Sequence, residues 1–422
     1  MSRWENKVVI GLTGNIAVGK SVVRQMLQHL GAYTIDADGL SHQAMAPGAP
    51  AYKPIIELFG KIVVDEDGRI NRTRLGAFAF AFPEALTALE TIIHPVVQQA
   101  AQVLIARAKQ PVIVIEAIKL LEGNLINMVD TVWVVDSSQE TQYRRLIEKR
   151  KMSQDDARRR VMIQGPQGDK LKQAQVVIKN DGSVEDTWRQ VQTAWEEMQR
   201  LNAPPAPAVV AAAVAPAPVA PIRPIQPATA NRPPAAASVA ASVPAAASAP
   251  SAQTFDLKTE VVIKRGMPNN AEDIATFVSK VSSRKVSRMD IMLAFGQKSF
   301  LLAYGKNNWL IGVVGWQVEN LITRIDEFYV TPEVPKGEII AELITAAEEA
   351  SKDLQSEVSF VVMPRHLGGD VVPSLSRSAY TPLKLAEIRF PAWREAAQDM
   401  LTVQNADILI KQLRADRVMK PI

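Results

Sequence analysis

Gly14-Asn15-Ile16-Ala17-Val18-Gly19-Lys20-Ser21 fits the pattern G-x-x-x-x-G-K-[ST] of a phosphate-binding loop. Its flanks give the loop the setting it needs. The apolar run Val8-Val9-Ile10-Gly11-Leu12 reads as a buried strand just before it. A helical pattern over residues 22–30 follows, and Gly31 suits its C-terminal cap. Strand, glycine loop and helix start make an anion cradle: backbone N–H groups curl around phosphate oxygens, and the helix N-terminus adds partial positive charge. In such a cradle Lys20 reaches the β- and γ-phosphates, and the Ser21 hydroxyl is placed to ligate Mg²⁺.

Working outward, residues 1–202 alternate apolar runs with helical patterns. Strands are expected at 8–12, 33–35, 112–116, 131–136 and 175–178. Their near-continuous hydrophobicity is that of strands covered on both faces. The expected fold is a three-layer α/β domain with a parallel sheet. Phosphate ligands then lie at the carboxyl ends of the strands, where the loop sits. From Ala203 to Ala252 the chain is almost entirely Ala, Pro, Val and Ser, with Arg223 and Arg232 the only charges. Frequent proline forbids continuous helix or sheet, so residues 203–254 read as a disordered linker able to hold two domains apart. Residues 255–422 read as an α+β domain. It has a strand at 261–263, a helix at 271–281, a meander over 299–304, 309–318 and 321–330, a helix at 338–352 and a strand at 358–363.

Composition narrows the function classes. The 422 residues carry a net charge of +4, too little for a strongly basic nucleic-acid binder. Cysteine is absent, which removes disulfides, thiolate metal sites and cysteine nucleophiles. Residues 1–7 are polar and charged, so no secretory signal is expected, and no apolar run approaches the roughly 18 residues of a membrane span. The expected setting is cytoplasmic, with no membrane partner.

Asp36-Ala37-Asp38 closes the second expected strand. On an extended segment two acids one residue apart point the same way, and near a phosphate loop they can serve Mg²⁺ and a hydroxyl nucleophile. The same spacing equally fits a helix N-cap followed by a solvated acid. Arg144, Arg145, Lys149, Arg150, Lys151, Arg158, Arg159 and Arg160 crowd the segment after the fourth strand. A lid carrying guanidinium groups there would neutralise γ-phosphoryl charge, whereas most of the eight suit a solvated helix face.

Over roughly residues 7–200 the chain resembles the dephospho-CoA kinases. The matches run in order: Ile10 to Gly14 with the loop, Ile35 to Asp38, Pro47 to Tyr52, Asp67 to Arg72, Leu89 to Pro95, Glu140-Thr141-Gln142 with Arg145 and Arg150, then Gln164 and Asn180. The resemblance implies transfer of the ATP γ-phosphoryl group to the ribose 3′-hydroxyl of dephospho-CoA, with ATP and Mg²⁺ as cofactors. It implies ATP binding by Gly14, Asn15, Ile16, Ala17, Val18, Gly19, Lys20, Ser21 and Val22, with Asn180 near the adenine. Asp38 handles the hydroxyl. Asp36 supports it or joins Ser21 in the magnesium shell, and Arg145 leads the lid. Arg72 and His94 line the acceptor side, although His94 before Pro95 is equally readable as structural.

Three departures from the family pattern stand out. Asn15, Ala17 and Val18 replace a glycine, a glycine and a serine in the loop, so any left-handed geometry at Ala17 is costly. Ile118-Lys119 replaces a proline-containing acceptor loop. Gly165-Pro166-Gln167-Gly168 makes the lid glycine-rich. They keep two alternatives in view, a nucleotide-binding scaffold of weak or no turnover and another small-molecule kinase of the same fold.

The C-terminal block more loosely resembles the acyl-CoA N-acyltransferase (GNAT) fold, which implies possible CoA or acetyl-CoA binding. The family's pyrophosphate loop, [QR]-x-x-G-x-[GA], aligns with Gly337 as its first glycine. Val334 then replaces the Gln or Arg, Ile339 replaces the small residue, and Pro335 lacks an N–H. The expected domain is degenerate, used for binding or regulation, with Glu327 a solvated or N–H-bonded acid.

Overall fold

The structure is a computed structural model and describes residues 3–164, 167–202 and 261–418. The linker reading for 203–254, the start of the second domain and Gly165-Pro166 lie outside the described residues.

Five parallel strands form the first sheet: β1 (Val8–Thr13), β2 (Tyr33–Asp36), β3 (Val112–Glu116), β4 (Thr131–Asp136) and β5 (Val176–Lys179), in the order β2-β3-β1-β4-β5. In β1, β3 and β4 successive apolar side chains face opposite sides, so both faces are covered, whereas β5 is an edge strand that leaves Val177 exposed, against the sequence expectation. Val9, Ile35, Ile113, Ile115 and Val134 face one core with the helices Ala37–Ala44 and Pro83–Arg107. Ile10, Leu12, Val114, Trp133 and Val135 face the other with Lys20–His29 and Val184–Asn202. The central β1 is flanked by β3 and β4, so the loop after β1 opens between the ends of three strands.

The second sheet has seven strands: β6 (Val262–Arg265), β7 (Ser299–Tyr304), β8 (Leu310–Glu319), β9 (Ile322–Val330), β10 (Val358–Pro364), β11 (Thr381–Pro382) and β12 (Ala406–Gln412). Their order is β11-β12-β10-β9-β8-β7-β6. The meander β6 to β9 is antiparallel, with a register shift at Gly315/Trp316, and β10 joins β9 in parallel. That parallel pairing spans Ile322–Ile325 on β9 and Val358–Val361 on β10. Sequence periodicity missed the helices Arg288–Phe295, Arg365–Arg377 and Pro391–Met400, and also β12, which pairs along the whole of β10. Arg288–Phe295 has little apolar periodicity, and the last two helices carry an internal or leading proline that breaks the reading.

The composition of the linker allows the halves to stand apart. Instead, residues on either side of it belong to one compact unit. The helix Lys20–His29, which begins at the phosphate loop, lies between its own sheet and the second domain. Gln25 Nε2 donates to Ser299 Oγ at 3.3 Å, and Arg265 donates to the Gln28 carbonyl at 2.7 Å. At the far side the β8–β9 turn enters the first domain. Leu321 joins the core of the first sheet, and Gln43 Nε2 donates to the Asn320 carbonyl.

His29 seals this contact. Its Nε2 lies 2.9 Å from the Phe295 carbonyl, and the two rings meet edge to face at 5.1 Å. The side chain is buried, and burial, helped by Arg265, lowers its pKa from 6.5 to about 4. The unfolded chain therefore binds this proton more readily than the folded one. The contribution to stability is complete above pH 6.5 and is lost as pH falls towards 4. The loss is at most about 3 kcal/mol. Melting temperatures between pH 7.5 and 4.5 are expected to fall less for His29→Gln than for the natural chain, because the amide keeps a donor and takes no proton.

Candidate active site

Three backbone positions curl the phosphate loop. Gly14 has φ +147°, Ala17 +60° and Gly19 +97°. The first and last suit glycine, while Ala17 carries a left-handed penalty of about 1–2 kcal/mol. The helix that follows starts at Lys20 with no side-chain cap on Gly19 and no acid in its first turn. The Val22 and Val23 N–H groups donate to the Gly19 carbonyl at 3.1 and 3.2 Å, and with no capping side chain or acid the helix start and its dipole can face an anion. Strand, glycine loop and helix follow one another as the sequence expects.

Lys20 is buried, and its Nζ donates to the Asn15 carbonyl at 3.1 Å. Burial lowers its pKa, while Glu116 and Asp38 oppose that shift. Glu116 ends β3 and is itself buried. One of its oxygens accepts from Ser21 Oγ at 3.1 Å and the other from Arg24 Nε at 2.6 Å. Asp38 is half-buried, and its Oδ2 accepts from the Ile118 N–H at 3.3 Å. Burial raises its pKa to about 6 despite Lys20, with Asp36 and Glu116 pushing the same way. A carboxylate poised near neutrality beside a buried ammonium is suited to take a proton from a hydroxyl.

The expectation that Asp36 and Asp38 share an extended segment is corrected. β2 ends at Asp36, and Ala37 already begins the helix Ala37–Ala44. Asp36 caps that helix, its Oδ1 accepting from the Gly39 N–H at 2.9 Å, so the two carboxylates serve different partners. The acid beside Ser21 is Glu116, a residue the sequence left unassigned because its partner lies 95 positions away. Mg²⁺ takes hard oxygen ligands and shares its shell with phosphate and water. The Ser21 hydroxyl with the Glu116 carboxylate beside it fits that chemistry better than a capping Asp36.

A sequence profile of the dephospho-CoA kinase family matches residues 8–186. The dephospho-CoA kinase of Geobacter metallireducens is 40% identical over 198 residues, which cover 46% of this chain and 98% of that one. The chain belongs to the dephospho-CoA kinase family. Among solved structures, the dephospho-CoA kinase from Campylobacter jejuni is 26% identical with a TM-score of 0.35, covering 46% of this chain and 98% of that one. The PaiA N-acetyltransferase from Thermoplasma acidophilum, solved in complex with coenzyme A, is 12% identical with a TM-score of 0.28 and covers 36% of this chain and 99% of that one.

A small pocket beside Asp38 is lined by Ser41, His94, Gln98 and Lys119 among others. His94 therefore shares a pocket with the candidate base. Arg72 does not. It is exposed, lies 3.8 Å from Glu395 of the second domain, and lines a separate, wider cleft between the domains.

The lid residues also differ from expectation. Arg145 does not stand free as a phosphate-facing arginine. Its guanidinium donates to the carbonyls of Ala17, Val18 and Asn180 at 2.7–3.1 Å and to Ser137 Oγ at 3.2 Å, bracing the loop from below. The other seven basic residues of that cluster are exposed, as a solvated face requires. Asn180 is buried under the same loop, its Nδ2 donating to the Val18 carbonyl at 2.7 Å and its Oδ1 accepting from Thr187. From above, Gln164 Oε1 accepts from the Ile16 N–H at 2.6 Å and Gln167 Oε1 from the Asn15 N–H at 3.0 Å. These neutral oxygens hold amides of an anion cradle.

The brace leaves no room at Gly19. A Cβ there would overlap Asn180 Nδ2, and φ +97° disfavours any side chain. Gly19→Ala is expected to shift the loop and weaken ATP binding at least about tenfold, because a displacement near 1 Å misplaces the phosphates. Fluorescent-nucleotide titration checks it.

Proposed function

We propose that this chain transfers the γ-phosphoryl group of ATP to the ribose 3′-hydroxyl of dephospho-CoA, releasing coenzyme A and ADP. The observation that carries the reading is the meeting of Asp38, Lys20 and the His94-lined pocket at the carboxyl ends of β1, β2 and β3. The loop amides and Lys20 hold the donor phosphates. Asp38 orients the acceptor hydroxyl and takes its proton as the oxygen–phosphorus bond forms and the bridging bond to ADP breaks. Arg145 and Asn180 keep the loop carbonyls in place, so the amides stay aimed inward. Mg²⁺, when bound at Ser21 and Glu116, would spread the phosphate charge. The setting we infer is cytoplasmic.

The test is an ADP-release assay with dephospho-CoA and a panel of nucleoside monophosphates, with mass analysis of the product. Phosphorylation of dephospho-CoA alone is expected. Turnover of a nucleoside monophosphate instead, or ATP binding without turnover, would replace the reading.

For residues 255–422 we infer CoA or acetyl-CoA binding without acyl transfer. Ile339 is fully buried in the helix Lys336–Asp353, and Pro335 caps it without an N–H to offer. Glu327 is engaged by Lys298 at 2.9 Å, which leaves it poorly placed as a free base. Titration calorimetry with acetyl-CoA should then count one site beyond the acceptor pocket.

A further inference from the structure

Lys170 belongs to the short helix Gln167–Lys172 and is buried. Its Nζ donates to the Ile118 carbonyl at 2.6 Å. Thr13 Oγ1 donates to the same carbonyl at 3.2 Å, from the strand end that feeds the phosphate loop. Ile118 is the residue whose N–H holds Asp38 at 3.3 Å. Lys170, Thr13 and Asp38 thus grip one residue from two sides. Glu122, more than half exposed, lies 3.8 Å from the ammonium, and Asp38 adds a second favourable charge, yet burial still lowers the Lys170 pKa.

A purely structural role explains this poorly. An apolar side chain would fill the space without desolvating an ammonium. The neighbouring Gln167 holds the Asn15 N–H of the phosphate loop. One short helix therefore touches the donor loop through Gln167 and the acceptor loop through Lys170.

We propose that Lys170 is a positioning residue of the phosphoryl transfer, fixing the acceptor loop through the Ile118 carbonyl so that Asp38 faces the incoming hydroxyl. The inference rests on the kinase reading above. It adds a lid residue that acts on the acceptor side, where the sequence pointed only to arginines acting on the donor.

The test uses the full chain with Lys170→Met and Lys170→Arg, assayed for kcat, for KM of ATP and dephospho-CoA, and for melting temperature. Lys170→Met is expected to lose about 10–100-fold in kcat, the scale of a misplaced reacting group, with the ATP KM nearly unchanged. Lys170→Arg is expected to recover much of the loss, since it keeps a cation within reach of the carbonyl. As a further arm, a small alkylammonium ion should raise the turnover of Lys170→Ala. A wild-type kcat in Lys170→Met would overturn the proposal. So would a loss that tracks melting temperature alone and responds to neither arginine nor alkylammonium. If the natural chain itself fails to phosphorylate dephospho-CoA, the kinase reading falls first, which separates the two failures.

Discussion

Asp38→Asn is expected to lower turnover about 10²–10⁴-fold, the usual worth of a general base, with ATP affinity nearly unchanged. The substitution keeps the acceptor oxygen that takes the Ile118 N–H. It removes the charge and the site for a proton. The donor loop does not touch this side chain through any hydrogen bond among the described residues, so the nucleotide should still bind. Stability should move the opposite way. Folding raises the pKa of Asp38 from 3.8 to about 6, so its ionised form is disfavoured by folding. That contribution is fully present below the unfolded pKa and is lost as pH rises through 6. At pH 8 a neutral amide therefore relieves at most about 3 kcal/mol. A variant that melts higher but turns over slowly marks a residue kept for chemistry rather than for folding. Turnover within threefold of the natural chain at saturating substrate would remove the base assignment.

Lys20→Met carries the second large effect. Its ammonium sits inside the loop on the Asn15 carbonyl, flanked by Glu116 and Asp38. Methionine matches the stem and deletes the charge. Losing one preorganised electrostatic contact to a developing charge costs about 10²–10³ in kcat. Here the donor phosphates also lose a ground-state contact, so the ATP KM should rise as well. That joint change separates Lys20 from Asp38 and from Lys170, each of which should leave the ATP KM nearly constant. Steady-state kinetics of the three variants side by side is the check. An unchanged kcat in Lys20→Met would mean that the loop does not grip the transferring group.

The two domains raise a different question from the two halves of the active site. The helix carrying Lys20 and Ser21 at its start has its other end held by the second domain through Gln25, Gln28 and His29. A proline-rich tether could not have announced this. Its composition sets how far two domains can separate, whereas their docking depends on matched surfaces built by residues hundreds of positions apart.

Local sequence determined the phosphate loop, the five strands and the cost that any left-handed turn at Ala17 would carry. Each of these rests on torsion preferences and burial periods that span a few residues. Spacing alone left Asp36 and Asp38 open between a site and a helix cap, and the role of Asp38 came from the family resemblance. Tertiary structure decided which partner each charged group took. Asp36 became a cap, Glu116 took Ser21, Arg145 went under the loop, and Lys170 reached the acceptor loop. The reason is reach. A backbone pattern fixes where a side chain starts, but a long charged side chain ends wherever packing has brought an oxygen or N–H, 128 residues along the chain for Arg145 and 237 for Arg265.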